Sequence, residues 1–203
     1  GRWILFEILL TYLKLNGKIW KKENKRTSEE KAFNIWKEGK FMISKFENTN
    51  EDVKKQERVC SFYVSDYHFE IITLPYIEKE IKENHDVIIL TENDLENTIK
   101  KVLENVNLSK DEKNKIFALD WSGNDLYKLD FIRRNVSKNL QTTVFIKGGK
   151  NYVQKMNSYI QEIIDSKNIN SIDCYFIDDV QNQVKDIVCQ YDGVLNTAGK
   201  ISL

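Results

Sequence analysis

The sequence predicts an α/β protein with a mainly parallel, five-stranded sheet and helices on both faces, preceded by a helical element at the N-terminus. Two observations predict this class. From residue 58 onward, short aliphatic runs alternate with segments of helical periodicity. The runs are mostly continuous rather than alternating, which is typical of strands buried on both faces, and helices between such strands favour right-handed crossovers.

The composition agrees with a folded chain. The 203 residues are 41% hydrophobic and include one proline and eight glycines, which excludes the disordered, collagen-like and low-complexity classes. Lys and Arg together number 31, as do Asp and Glu, so the net charge indicates no preferred partner.

The N-terminal element consists of two predicted helices. Residues 3–16 carry an apolar stripe, and Thr27-Ser28-Glu29-Glu30 is typical of the start of a second helix that runs to about Phe46. We assign residues 1–47 to this element, 48–57 to a polar linker and 58–203 to the α/β domain. The aromatic surface of the element predicts packing on the domain or on a second copy of the chain, and we favour a homodimer contact.

Residues 1–58 hold 14 Lys or Arg and 9 Asp or Glu, and residues 59–203 hold 17 and 22. A basic segment beside an acidic domain keeps DNA open as a partner. The apolar stretch Trp3–Leu13 is too short for a membrane span and lacks a cleavage site, so we expect neither a span nor a signal peptide. The three cysteines lie beside apolar or aromatic residues, and we expect them to be reduced, buried thiols in a cytoplasmic protein. The spacing of the three cysteines and two histidines predicts neither a disulfide framework nor a metal site.

Within the α/β domain the elements follow in order. Strands are predicted at 59–64, 87–90, 115–119, 142–146 and 172–177, where β-branched, aromatic or aliphatic residues form short runs. Helices are predicted at 67–84, with a break near Pro75, and at 94–105, 126–140, 152–165 and 180–191.

Polar residues follow each predicted strand, at the edge where parallel sheets bind ligands. Asp, Asn, Ser and Gly are also the residues that cap helices, so most of them have a structural explanation. We expect a ligand crevice between the loops at Ser65–His68, Glu92–Asp94 and Asp120–Asp125, with Trp121 as an apolar wall. The candidate ligand-binding residues are Asp66, His68, Glu92, Asp120, Trp121, Asn124 and Asp125.

A second candidate is the run Lys147-Gly148-Gly149-Lys150 between a strand and a helix. Glycines allow the backbone to approach an anion, and the helix N-terminus supplies free N–H groups, so this run is a candidate anion site. The phosphate-loop motif GxxxxGK[ST] is absent, as is any recognisable catalytic triad.

Two segments resemble a known family. Val59-Cys60-Ser61-Phe62-Tyr63 with the helix and strand that follow, and Cys189-Gln190-Tyr191-Asp192 near the end, are similar to the MEDS sensory domain of methanogens, methylotrophs and the dichloromethane-degradation repressor. The resemblance covers about residues 58–192. It implies a RecA-like fold without a working phosphate loop and a role in sensing a small ligand. It assigns no catalytic residue and no cofactor.

Together these observations favour a non-catalytic sensory or regulatory module that binds a small ligand or a partner protein in signalling or transcriptional control. One alternative is an enzyme that binds nucleotide or phosphate through the strand-end loops. Another is a DNA-binding regulator that acts through the basic N-terminal segment.

Overall fold

The computed structural model describes residues 57–123, 125–135, 141–164 and 169–203. The helical element at 1–47, nearly all of the linker, and therefore the dimer and DNA contacts predicted for them lie outside the described residues. The strands are β1 (Val59–Tyr63), β2 (Asp86–Thr91), β3 (Thr142–Gly148), β4 (Ile169–Phe176), β5 (Gly193–Asn196) and β6 (Gly199–Ser202). The helices are α1 (Asp66–Lys82), α2 (Glu96–Asn105), α3 (Lys110–Phe117), α4 (Asp125–Asn135), α5 (Lys150–Ile164), α6 (Ile177–Val180) and α7 (Val184–Val188), with a 3-10 turn at Gln181–Gln183.

The described strands form one six-stranded sheet in the order β2-β3-β4-β1-β5-β6. All neighbours are parallel except β5 and β6, which form an antiparallel hairpin. β1 therefore lies near the centre, with Ser61 opposite Cys174 of β4 on one side and Leu195 of β5 on the other. The predicted α/β class and mainly parallel sheet are confirmed.

Helices cover both faces of the sheet and define two cores. Successive strand residues alternate between them, as Phe145 and Ile146 do on β3. We call the core under α1, α2 and α3 the first face; Phe69, Ile99 and Ile116 belong to it. The second face lies under α4, α5, α6 and α7. The continuous aliphatic runs in the sequence therefore reflect burial on both faces.

The strand predicted at 115–119 is wrong, because these residues end helix α3 and continue into the following turn. Ser109 and Glu112 form a reciprocal capping box, in which each side chain accepts from the backbone N–H of the other residue. This cap starts a helix at Lys110. Ile116 is buried while Phe117 remains exposed, which is a one-sided helical pattern.

Three further differences concern helix α1 and the C-terminal region. α1 continues through Pro75 without the predicted break. The helix predicted at 180–191 is divided among α6, the 3-10 turn and α7, and the sequence pattern missed the hairpin of β5 and β6 entirely. The sheet thus reaches six strands by losing one predicted strand and gaining two short ones.

Among the described residues, no helix has the length and apolar character needed to cross a bilayer.

Candidate functional site

The strand order creates a point where successive connections diverge. α1 carries the chain from β1 past β4 and β3 to β2 at the edge, whereas α6 and α7 carry it from β4 across β1 to β5. β1 and β4 are neighbours whose connections leave in opposite directions. In open α/β sheets, a crevice forms at such a point, outside the carboxyl ends of the strands. We call this region the carboxyl edge.

An ion pair between a buried lysine and a partly exposed aspartate lies at the carboxyl edge. Lys147 near the end of β3 has a side chain that is only 1% exposed, and its Nζ lies 2.7 Å from Oδ1 of Asp66 at the start of α1. The same ammonium lies 4.7 Å from the ring centroid of Tyr63 and 5.6 Å from that of Phe69. Carboxylate and aromatic faces together compensate the buried charge. Lys147 is therefore engaged within the chain.

Glu70 lies one helical turn after Asp66 and is fully buried. Its Oε1 accepts a hydrogen bond of 2.5 Å from the Thr98 hydroxyl, whereas its Oε2 is buried without a hydrogen-bond partner. Burial raises the pKa of Glu70 to about 8, although the Thr98 hydrogen bond and the charge of Lys147 oppose the shift. The first face thus holds a second ionisable group close beneath the Asp66–Lys147 pair.

The glycines after β3 lie against two carboxylates. The Gly149 N–H donates to Oε2 of Glu92 over 2.8 Å, and a Cβ on Gly149 would lie 2.5 Å from Oδ2 of Asp179. A Cβ on Gly148 would lie 2.4 Å from the Tyr152 ring. Glycine leaves room for the Tyr152 ring at position 148, whereas a side chain at position 149 would displace the Asp179 carboxylate. Glu92 occupies the amide that an anionic ligand would need.

Tyr63 of β1 is buried in the core of the first face, beneath the carboxyl edge. Its pKa is raised mainly by burial and then by nearby charged groups, which include Asp66, Glu92 and Asp179. Asp66 begins α1 after β1, Glu92 follows β2, and Asp179 lies in α6 after β4. Three carboxylates from separate strand ends thus lie at the carboxyl edge, where Asp66 pairs with Lys147 and the other two lie against Gly149. We call Asp66, Glu92 and Asp179 the acidic triad.

His68 stabilises the turn after β1. Its ring Nδ1 accepts from the Val64 backbone N–H over 3.2 Å, and the His68 backbone N–H donates to the Ser65 hydroxyl that caps α1. Burial lowers the pKa of His68 to about 4, so the imidazole is neutral at pH 7 with its proton on Nε2. These two hydrogen bonds fix the turn between β1 and α1, where Asp66 lies.

The loop at 120–125 reaches the carboxyl edge beside β2, although it follows helix α3 rather than the predicted third strand. Gly123 lies close to the Thr91 and Glu92 carbonyls, and Oδ1 of Asp125 accepts from the Thr91 N–H over 3.2 Å. The Tyr152 hydroxyl donates to the other oxygen of Asp125. Asp120 accepts from both the backbone N–H and the hydroxyl of Ser122. Asn124 lies outside the described residues.

Trp121 is 1% exposed and belongs to the core of the first face. Its indole N–H donates to the Ile116 carbonyl over 2.9 Å, and its own carbonyl accepts from the Leu95 N–H. The structure thus places Trp121 beneath the loop and ties α3 to the start of α2 through it.

Lys128 of α4 is a buried cation that the sequence pattern did not reveal. Its Nζ donates to the carbonyls of Ile89, Asp120 and Ser122 over 2.7, 3.0 and 2.5 Å. Burial lowers the pKa of Lys128, while the nearby Asp120 and Asp125 oppose the shift. Among the described strands β2 lies at the edge of the sheet, and this ammonium satisfies a carbonyl of that edge strand.

The structure brings Asp66, Glu92 and the Lys147–Gly149 run together, and Asp125 joins them through Tyr152. Lys150 instead bonds to Gln183 on the 3-10 turn. Sequence reasoning missed Tyr63, Tyr152 and Asp179 as members of the site. The position of Asp179 just after β4 was a usable signal, whereas Tyr63 and Tyr152 are typical strand and helix residues.

The second face holds a separate polar cluster built around Asp173 of β4. Its Oδ2 accepts from the Tyr191 hydroxyl over 2.5 Å and from the Asn157 amide, and Tyr191 also bonds to the Tyr175 hydroxyl over 2.7 Å. Burial raises the pKa of Asp173 to about 6 against these hydrogen bonds. Asp192 accepts from the Arg58 N–H beside β1. Two residues of the Cys-Gln-Tyr-Asp segment therefore join the chain end to the central strands.

Comparison of the chain with protein-family models, with curated proteins and with solved structures finds no match.

Proposed function

We propose that this chain is a non-catalytic sensory or regulatory module that binds a small, positively charged ligand at the carboxyl edge. The observation that carries the proposal is the acidic triad at the point where the connections diverge, in which Glu92 and Asp179 are exposed and both lie against Gly149. Neighbouring carboxylates that face solvent suit an ammonium group, which pairs with them through charge-assisted hydrogen bonds.

The charge balance at the carboxyl edge favours a cation over a phosphate. The positive charge of Lys147 is already paired with Asp66, and the Gly149 amide already donates to Glu92. A phosphate would have to displace a carboxylate from that amide while approaching Asp179, which lies against the same glycine. Like charges at such distances repel strongly when they are partly desolvated.

Lys147 supports the same ligand chemistry from inside the chain. Its ammonium lies between the Asp66 carboxylate and the faces of Tyr63 and Phe69. The carboxyl edge thus already accommodates one ammonium by carboxylate pairing and aromatic contact. A ligand ammonium on the exposed side of the triad would pair with Glu92 and Asp179 as Lys147 pairs with Asp66.

The non-catalytic part of the proposal is supported by His68, the histidine next to this site. Its Nδ1 is engaged by the Val64 amide, and its pKa is lowered to about 4, far from the value that suits proton transfer at pH 7. We also propose that the chain has the RecA-like fold that its resemblance to the MEDS sensory domain implies. Two observations support this: the mainly parallel sheet, and the hydrogen bonds by which Tyr191 and Asp192 contact Asp173 and the Arg58 backbone.

Thermal unfolding of the full chain with spermidine, with ATP and with inorganic phosphate tests the proposal. Spermidine should raise the melting temperature, since a ligand at 100 times its Kd stabilises the folded state by about 2.7 kcal/mol. Asp179→Asn should remove most of this gain. The matched control is Asp178→Asn, which changes the neighbouring exposed carboxylate that accepts from Gln181.

Stabilisation by ATP or phosphate together with no response to spermidine would favour the nucleotide-binding alternative and overturn the proposal. An equal loss of the spermidine response in Asp178→Asn and Asp179→Asn would show a diffuse charge effect instead of a site. High salt should weaken the response, because the contacts are ionic and reached from solvent.

A further inference from the structure

A second group of titratable side chains lies at the opposite, amino edge of the sheet. Glu80 and Glu83 come from the end of α1, and His85 follows just before β2. Asn84 adopts a φ of 57°, which turns the chain so that His85 lies back beside the end of the helix. One donor atom from each of the three residues lies within 4.8 Å of the others.

Two of the distances between these donor atoms are close to those of a tetrahedral metal centre. His85 Nδ1 lies 3.2 Å from Glu80 Oε2 and 3.6 Å from Glu83 Oε2. Ligand atoms that bind zinc at its usual bond lengths of about 2.0–2.2 Å lie about 3.3–3.6 Å apart around a tetrahedron. The His85 nitrogen therefore already has about the separation from each carboxylate that zinc ligands need, and the two carboxylates lie within 4.8 Å of one another.

The surroundings of Glu80 provide a separate observation. Its side chain is only 3% exposed, and its Oε2 lies against Nδ1 of His85. The Thr143 hydroxyl of β3 donates to the same Oε2 over 2.7 Å and fixes the direction of the carboxylate. A hydrogen bond of this kind is what orients carboxylate ligands in metal sites. A buried carboxylate that points at an imidazole is thus held ready for a divalent ion.

We propose that Glu80, Glu83 and His85 bind one zinc ion at the amino edge of the sheet. The ion takes one nitrogen and two oxygen ligands, which suits zinc better than magnesium or calcium, since these prefer all-oxygen sets. Glu83 and His85 are partly exposed, so solvent reaches the ion and a water completes the fourth position. The site joins the end of α1, the start of β2 and, through Thr143, β3.

The test is isothermal titration of the metal-free full chain with Zn²⁺, in a Cys189→Ser background because Cys189 is an exposed thiol. We expect one saturable site per chain. His85→Ala and His85→Gln should each abolish it, Glu83→Gln should weaken it at least 10-fold, and Thr143→Val should weaken it about 10-fold. Glu78→Gln is the matched control, because Glu78 lies on the same helix and pairs with Lys82.

Co²⁺ provides a second readout that needs no substitution at the site. The cobalt-loaded chain should show the absorption bands of a four-coordinate ion, and these should disappear when zinc is added. His68→Gln should leave the bands unchanged, since His68 is the other histidine of the chain. Absence of the bands, unchanged zinc affinity in both His85 variants, or equal weakening by Glu78→Gln and Glu83→Gln would each overturn the proposal.

Discussion

Replacement of Trp121 distinguishes a core residue from the wall of a ligand crevice. The structure places the indole in the core of the first face at 1% exposure, beside elements α2 and α3. Trp121→Ala should lower the free energy of unfolding by about 3–5 kcal/mol, the range for removing a buried aromatic side chain. Urea unfolding followed by far-ultraviolet circular dichroism measures the change.

Trp121→Phe separates the packing contribution from that of the hydrogen bond. The Ile116 carbonyl that accepts from the indole also accepts from the Leu119 N–H over 3.2 Å, so losing the indole N–H does not orphan it. Loss of this one hydrogen bond should therefore cost about 0.5–1.5 kcal/mol. The smaller phenylalanine ring also loses some packing contacts. Even so, we expect Trp121→Phe to lower the free energy of unfolding by less than half as much as Trp121→Ala does.

The spermidine response completes the test. If Trp121 is a core residue, spermidine should raise the melting temperature of Trp121→Phe by as much as that of the unchanged chain. If Trp121→Ala cost less than about 1 kcal/mol, far below the usual range for a buried tryptophan, and also removed the response, the placement of Trp121 in the core would be refuted.

Three other perturbations follow from the buried charges and the glycines. The folded-state pKa of Glu70, about 8, lies above its unfolded value, so between these two values the folded chain holds a proton that the unfolded chain has released. The stability that the protonated Glu70 contributes is therefore complete below about pH 4.5 and is lost as the pH rises to about 8. Glu70→Gln should remove that fall in stability, and urea midpoints from pH 5 to 8 measure it, with a slope unchanged from that of the starting chain contradicting the assignment. Lys128→Met should cost at least about 1–3 kcal/mol because the Ile89 carbonyl loses its donor, whereas Lys100→Met on the exposed face of α2 should change the urea midpoint little. Gly149→Ala should displace the Asp179 carboxylate and reduce the spermidine response, since the new Cβ would lie 2.5 Å from Oδ2; an unchanged response would argue against Asp179 as a ligand contact.

The sequence predicted the elements whose burial is strongest. The predicted runs Val87–Leu90 and Thr142–Ile146 lie within β2 and β3. They could be recognised because strands that are covered on both faces have continuous apolar sequences. The run Lys115–Leu119 has similar composition but continues a helix that Ser109 and Glu112 have started. The capping box was present in the sequence and outweighs the β propensity of a five-residue run.

The site was predictable in position but not in its internal pairing. Strand ends located Asp66, Glu92 and the Lys147–Gly149 run, because parallel strands bring their carboxyl ends to one edge. The burial of Lys147 and its contact with Asp66 depend on the strand order, which no local pattern encodes. The same holds for Glu80 and His85, whose approach to Thr143 requires β2 and β3 to be neighbours.

The central position of β1 also affects how the chain folds during synthesis. Its Ser61 hydroxyl donates to the Leu195 carbonyl, a partner 134 positions away, and β4 on its other side is likewise made late. β1 must therefore remain without either neighbour until β4 and β5, which come much later in the sequence, have left the ribosome. Contacts of such long range slow folding, and an unpaired apolar strand can associate with other chains meanwhile. We expect the yield of folded protein to depend strongly on temperature and on chaperones during expression.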